Sequence, residues 1–230
     1  MFKSIANFFR GADWTDGIIE RFDTMLGLAE ENFKLCADHL VDADDIEKIR
    51  DDIYSRDRKI NSMERDLRRR VISHFAACPS EHEIPTAFIL TTLVKDAERI
   101  GDYVKNLYEV HQIHGETGFQ RKLYDVYYDG IRTQVKQLFS AVRQAFRNSS
   151  AEEAHAAIAA GRETMRRCES AIRAIAAGGH SVPESIALVL AGRHYKRILA
   201  HLVNIATSVV MPADRVDYYD EMEAPGEKPE

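Results

Sequence analysis

Proline is distributed so that two long stretches of the chain have none. The six prolines stand at positions 79, 85, 183, 212, 225 and 229, leaving residues 1–78 and 86–182 without one. Inside a helix a proline loses a backbone hydrogen bond and strikes the preceding turn, at about 3 kcal/mol. Long proline-free runs poor in hairpin dipeptides therefore suit helices. The apolar pattern agrees. Ile18, Phe22, Met25, Ala29, Phe33, Cys36 and Leu40 recur at steps of three and four, as do Ala154, Ile158, Gly161, Met165, Cys168, Ile172 and Ile175. Ile46, Ile49 and Ile53, then Ile60, Met63, Leu67 and Val71, follow the same rule. This is the repeat of helices packed in a bundle, and no stretch of comparable length alternates at period two.

The pattern predicts six helices, over residues 14–41, 43–77, 85–113, 119–148, 151–177 and 183–210. The breaks AACPSEHEIP, HGETG, NSSAEE and AGGHSVP each carry turn or cap residues. Pro85 and Pro183 fall in first turns, where proline is tolerated. These two lie 98 residues apart, and at the same offset Arg99 and Ile100 match Arg197 and Ile198, while Asn106 matches Asn204. Asp16-Gly17-Ile18 echoes Asp129-Gly130-Ile131. The expected fold is all-α: two tandem three-helix bundles related by an internal duplication. The expected divisions are an N-terminal segment at 1–13, a first repeat at 14–114, a second at 115–211 and an acidic, disordered tail at 212–230.

Charge narrows the function classes. The net charge is −6, and the segment Asp214–Glu230 holds seven acids and two bases, so the body carries only −1. A nearly neutral body argues against nucleic acid, whose binding needs clustered positive charge. No apolar run approaches the roughly 18 residues of a membrane span. Cys36, Cys78 and Cys168 stand alone, without the spacing of a disulfide framework or thiolate zinc site. A reducing cytoplasm is the expected location.

Carboxylates in the first half carry the chemistry. DRKINSME places Asp57 and Glu64 two helical turns apart on one side, flanking the apolar stripe. ERIGDYVKN aligns Glu98, Asp102 and Asn106 at steps of four, away from the stripe through Ala97, Ile100 and Val104. Two adjacent helices thus offer four carboxylates to one groove. Like charges this close repel, and a bound cation relieves them, as does a solvated surface with Lys95 and Lys105 nearby. Oxygen ligands favour hard ions such as Mg²⁺, Ca²⁺, Mn²⁺ or ferric iron.

The same segments carry a resemblance. DRKINSME is similar to the second-helix signature of the PhoU family of phosphate-signalling regulators, and KDAERIGDYVKN to its third-helix signature, whose E/D-x-x-x-D core is here Glu98 to Asp102. The resemblance covers roughly residues 14–210 and implies a non-catalytic cytoplasmic regulator. Such a protein restrains phosphate uptake and the phosphate-starvation response. It acts as an adaptor between a phosphate transporter, ABC-type or other, and a sensor histidine kinase. It also implies metal binding at Asp57, Glu64, Glu98 and Asp102, with Asn61 and Asn106 as secondary ligands. The ion would be Fe, Mn, Mg, Ca or Zn. Homodimerisation and peripheral membrane association complete the expected partners, with no nucleic acid among them.

The second half departs from that pattern. In HYKRILAHLVN, Lys196 stands where Glu98 has its counterpart and Ala200 where Asp102 does, while Arg162 corresponds to Asp57 and Glu169 to Glu64. Arg162, Lys196 and Glu169 make no cation site, so at most one metal site per chain is expected, with Lys196 a fixed positive charge in the other groove. A metal-free scaffold serving another transporter is the alternative. Residues 56–70 hold seven bases and three acids, read as a solvated helix face. His111 and His114 read as favourable charges at a helix C-terminus rather than a metal pair. Met1, Phe2, Ile5, Phe8 and Phe9 read as a short amphipathic element docked on the bundle. A carboxylate-metal oxidase would need two Glu-x-x-His pairs, and only Glu152-x-x-His155 fits. Fingerprints of P-loop, GxSxG, HExxH or dinucleotide enzymes are absent from the sequence.

Overall fold

The computed structural model describes residues 13–40, 46–78, 80–113, 120–211 and Val216. The expected N-terminal element, His114 and all of the acidic tail but Val216 lie outside these residues. Six helices account for most of the described chain: α1 (Asp13–His39), α2 (Arg50–Ala77), α3 (Ile84–Glu109), α4 (Arg121–Asn148), α5 (Ala151–Ala177) and α6 (Val182–Val210). Short 3-10 turns at Glu47–Ile49 and Glu81–Glu83 lead into α2 and α3, and a third, Val110–Ile113, follows α3. The helix expected from residue 43 is helical at Ile46, passes through the 3-10 turn Glu47–Ile49 and runs as α-helix from Arg50, its expected start lying outside the described residues.

Local chemistry sets the ends. Ser181 accepts from the Glu184 backbone N–H while the Glu184 side chain accepts from the Ser181 N–H, a capping box that opens α6 just before Pro183. Ser149 ends α4 at φ 48, and Ser150 caps α5 by accepting from the Glu153 N–H. Such caps are each worth about 1 kcal/mol.

The apolar stripes meet inside. Every residue of the α1 stripe from Ile18 to Leu40 is buried, as are Ile53, Ile60, Leu67 and Val71 of α2 and Ala97, Ile100 and Val104 of α3. At about 1.5–3 kcal/mol for each large apolar side chain removed from water, this core is the main stabilising force. Within each half the three helices pack on one another, α1–α2–α3 and α4–α5–α6.

The halves then join like to like. α1 packs on α4 and α3 on α6. Phe22 meets Phe146 with ring centroids 5.0 Å apart, and Phe33 meets Phe139 at 5.5 Å, so α1 and α4 run antiparallel. Asp96 pairs with His201, while Tyr103 lies against both His201 and His194, so α3 and α6 run antiparallel too. Equivalent helices crossing near their equivalent residues relate the bundles by a quasi-twofold axis through both crossings.

Polar contacts reinforce the α1–α4 seam. Arg143 donates to both carboxylate oxygens of Asp23, at 3.1 Å each, and to Glu30 at 2.7 Å. Arg147 also donates to Asp23, and Lys34 and Ser140 donate to Glu30. Burial alone would raise both carboxyls. These donors instead hold Asp23 and Glu30 below the usual carboxylate range. Among the described residues no helix is long and apolar enough to cross a membrane.

Candidate functional site

The groove between α2 and α3 brings the four expected carboxylates into one electrostatic neighbourhood. Gly101 lets the two helices approach: a Cβ there would sit 3.1 Å from Ile60 Cδ1. Burial raises the Glu98 carboxyl above its ordinary range, and the nearby charges of Asp102, Glu64 and Asp57 add to that, with Arg99 opposing. Asp57, which flanks the apolar stripe of α2, has a side chain only 7% exposed.

Bases answer this charge in part. Lys105 Nζ lies 3.2 Å from Asp57 Oδ2 and 3.0 Å from Asp102 Oδ1, bridging α2 and α3. Burial pulls the Lys105 ammonium downward, but hydrogen bonds to Asp102 and Asp57 outweigh it and hold the group above its ordinary value. Arg99 reaches Asp102 at 3.4 Å and Glu98 at 3.7 Å, and Arg68 pairs with Glu64 at 2.9 Å. Two acceptors stay unmet: Asp57 Oδ1 and Asn61 Oδ1 are buried and have no hydrogen-bond partner. Asn106 is half-buried on α3.

The donor set is all oxygen, with two orphaned acceptors and a carboxyl destabilised by its neighbours, which suits a hard cation in chemistry. As the side chains stand, the Lys105 ammonium lies between Asp57 and Asp102. Among the described residues no three His, Cys, Asp or Glu side chains stand at ligand positions around one point.

The corresponding place on the second bundle is inverted. Lys196 of α6 makes an ion pair with Glu169 of α5, and Arg162 and Ala200 are half-buried nearby in sequence register. The Lys196 hydrogen bond, with Arg173 and Arg193 behind it, holds the Glu169 carboxyl below its ordinary range. His111 pairs with Glu47 at 2.7 Å. A cleft of about 330 Å³ opens between α4 and α5, lined mostly by small and apolar side chains such as Leu138, Ala156 and Ala160.

One cluster escaped the sequence reading. Asp96 is 2% exposed, its Oδ1 lies 2.8 Å from His201 Nδ1, and its Oδ2 has no partner. Tyr103 stacks on His201 at 5.7 Å and approaches His194 at 6.1 Å. The available signal was a charged residue among Leu93, Val94, Ala97 and Ile100, on the apolar side of α3.

A family model for the PhoU domain matches residues 22–110, from α1 through α3 and into the turn that follows. The first bundle matches the PhoU domain. DRKINSME and KDAERIGDYVKN, the segments that carry the resemblance, both lie within the match and form the walls of the carboxylate groove. Over most of the chain the fold is that of PhoU structures. The PhoU from Pseudomonas aeruginosa superposes with a TM-score of 0.77 at 22% identity, covering 86% of this chain and 95% of that one. The phosphate transport system regulatory protein PhoU from Streptococcus pneumoniae gives 0.74 at 15% identity, covering 85% and 92%. No curated protein sequence matches the chain. The PhoU-domain match stops short of α4, the start of the half in which the acidic pattern is lost.

Proposed function

We propose that this chain is a non-catalytic cytoplasmic regulator of phosphate transport and phosphate-starvation signalling. It acts as an adaptor whose helix faces contact a phosphate transporter, a sensor histidine kinase, or both. The observation that carries this reading is the PhoU-domain match over residues 22–110, in a chain whose fold follows a PhoU structure over 86% of its length. The test is phosphate uptake and a starvation reporter in phosphate-replete cells with and without the gene. Both signals are expected to rise on deletion, and unchanged signals would overturn the reading.

The carboxylate groove is proposed to hold one metal ion per chain through Asp57, Glu64, Glu98 and Asp102, with Asn61 and Asn106 secondary. The orphaned Asp57 Oδ1 and the raised Glu98 carboxyl support it. An ion there would compete with Lys105 for Asp57 and Asp102, and would supply a fixed positive charge joining α2 to α3. It would stabilise the folded state by mass action, so exhaustive chelation is expected to lower Tm. A second reading, a metal-free scaffold, is favoured by the Lys105 bridge, which already sets a cation between two of the four acids. An unchanged Tm after chelation, with no metal in the purified protein, would select the scaffold.

A further inference from the structure

The quasi-twofold axis repeats a surface as well as a core. On α3 the residues Ile84, Phe88, Lys95 and Arg99 are all exposed and fall within about 60° of one another around the helix. Adding the 98-residue offset gives Val182, Ile186, Arg193 and Arg197 on α6, and these four are exposed as well. The apolar members are well out in solvent: Ile84 56%, Phe88 60%, Val182 71% and Ile186 46%. Exposed large apolar side chains placed singly need no explanation, whereas the same i,i+4 pair retained at equivalent turns of both third helices does.

The two stripes form one pattern because α3 and α6 cross antiparallel near Arg99 and Arg197. The four cations lie within about a turn or so of the crossing. Phe88 and Ile186 each lie about 11 residues from it, so they stand roughly 35 Å apart at about 1.5 Å per residue. Lys95 and Arg197 make no hydrogen bond or ion pair with a described residue, and Arg193 makes none either, though its charge is felt at Glu169. Glu98 and Asp102 sit deeper beside Arg99 and Lys105, and Lys196 beside Glu169. A twofold axis carries both apolar pairs to the same height, facing the same way.

We propose that the outer face of the α3–α6 pair docks a protein homodimer astride its twofold axis. One chain of this protein binds per dimer, with Ile84–Phe88 seated on one subunit, Val182–Ile186 on the equivalent place of the other, and the central cations over acidic groups at the partner's axis. A laterally uniform bilayer would bind the apolar pairs and cations whether or not they were symmetric, so the equivalence of the two ends points to a symmetric protein instead. A second copy of this chain does not fit, because like faces would set exposed cations against one another.

Site-specific photocrosslinking in living cells tests this, with p-benzoylphenylalanine in place of Phe88 in one strain and of Ile186 in another. The expected result is that both positions label the same short segment of one and the same protein. Because two anchors act together, Phe88→Ser is expected to lower labelling from position 186 at least about tenfold, and Ile186→Ser to lower labelling from position 88 likewise. Both side chains are exposed, so an unchanged Tm checks that the fold is intact. Labelling of two different segments or proteins, of lipid, of this chain itself, or from one position alone would overturn the proposal. So would absence of any adduct, or single substitutions without effect on the other site.

Discussion

The two grooves occupy equivalent places on the two bundles and have opposite electrostatic character. In the α2–α3 groove four carboxylates share three bases, and Glu98 is left raised by its neighbours. In the α5–α6 groove one carboxylate faces Lys196, Arg173 and Arg193, and is lowered. The same helix packing therefore supports either sign of charge. What the fold requires is the buried stripe beneath; the groove residues above it are unconstrained by the core and can diverge.

The largest expected effect probes that shared packing. Both pairs of groove helices are brought close by a glycine, but with different tolerance. A Cβ on Gly161 of α5 would lie 2.4 Å from Val203 Cγ2 and 3.1 Å from Leu138 Cδ2, whereas on Gly101 of α3 its nearest neighbour is Ile60 at 3.1 Å. Alanine gains up to about 1 kcal/mol in helix propensity at either place. Gly161→Ala is expected to lose that gain to overpacking and destabilise the chain by about 1–3 kcal/mol. Gly101→Ala is expected to fall within about 1 kcal/mol of the parent. Urea unfolding of both variants measures the difference, and equal midpoints would show that the second bundle is no more tightly packed than the first.

The next effect separates the grooves by burial. Lys105→Met leaves the nearly buried Asp57 without its cation. A cost of about 1–2 kcal/mol is expected, less than for a fully buried pair because the Lys105 side chain is 22% exposed. Lys196→Met frees Glu169, whose side chain is 42% exposed, and is expected to change stability by less than about 0.5 kcal/mol. The first variant carries further information, since it removes the competitor for any cation. Added Mn²⁺ is expected to restore much of its Tm while leaving that of Lys196→Met unchanged. Two variants that lose equal stability would mean that Lys105 and Asp57 do not act as a buried pair.

How much of this was legible depends on how local each signal is. The helix ends at Ser150, Ser181, Pro85 and Pro183 were readable because capping chemistry acts over three or four residues. The Asp57, Glu64, Glu98 and Asp102 neighbourhood was readable because both walls of the groove carry regular helical spacing. The 3-10 turn Glu47–Ile49 was not, since it shares the spacing of Ile46, Ile49 and Ile53. Lys105 was visible beside Asp102, but its bond to Asp57 spans 48 residues. Asp96 and His201 are 105 residues apart on different bundles, and no local rule joins them. What the sequence could not supply was the seam between the bundles, where Arg143, Asp23, Tyr103 and the two histidines meet.

The smallest effect is a matter of sign. Glu98 has a folded-state carboxyl raised above its ordinary value. At neutral pH it is therefore ionised at a cost to the fold, and that cost disappears as pH falls through the raised value. Glu98→Gln is expected to raise Tm at pH 7, with the gain shrinking to nothing in acid. Glu169 has a lowered carboxyl, so its contribution is present above the ordinary glutamate range and is lost as pH falls through the lowered value. Glu169→Gln is expected to lower Tm slightly at pH 7 and to be neutral in acid. Melting curves of both variants between pH 3 and pH 8 would show the two differences converging on zero from opposite sides. A cation bound in the first groove reverses only one of them, because it favours the Glu98 carboxylate and makes Glu98→Gln destabilising. Repeating the pair with and without Mn²⁺ therefore tells the metal-holding groove from its cationic counterpart without any measurement of phosphate.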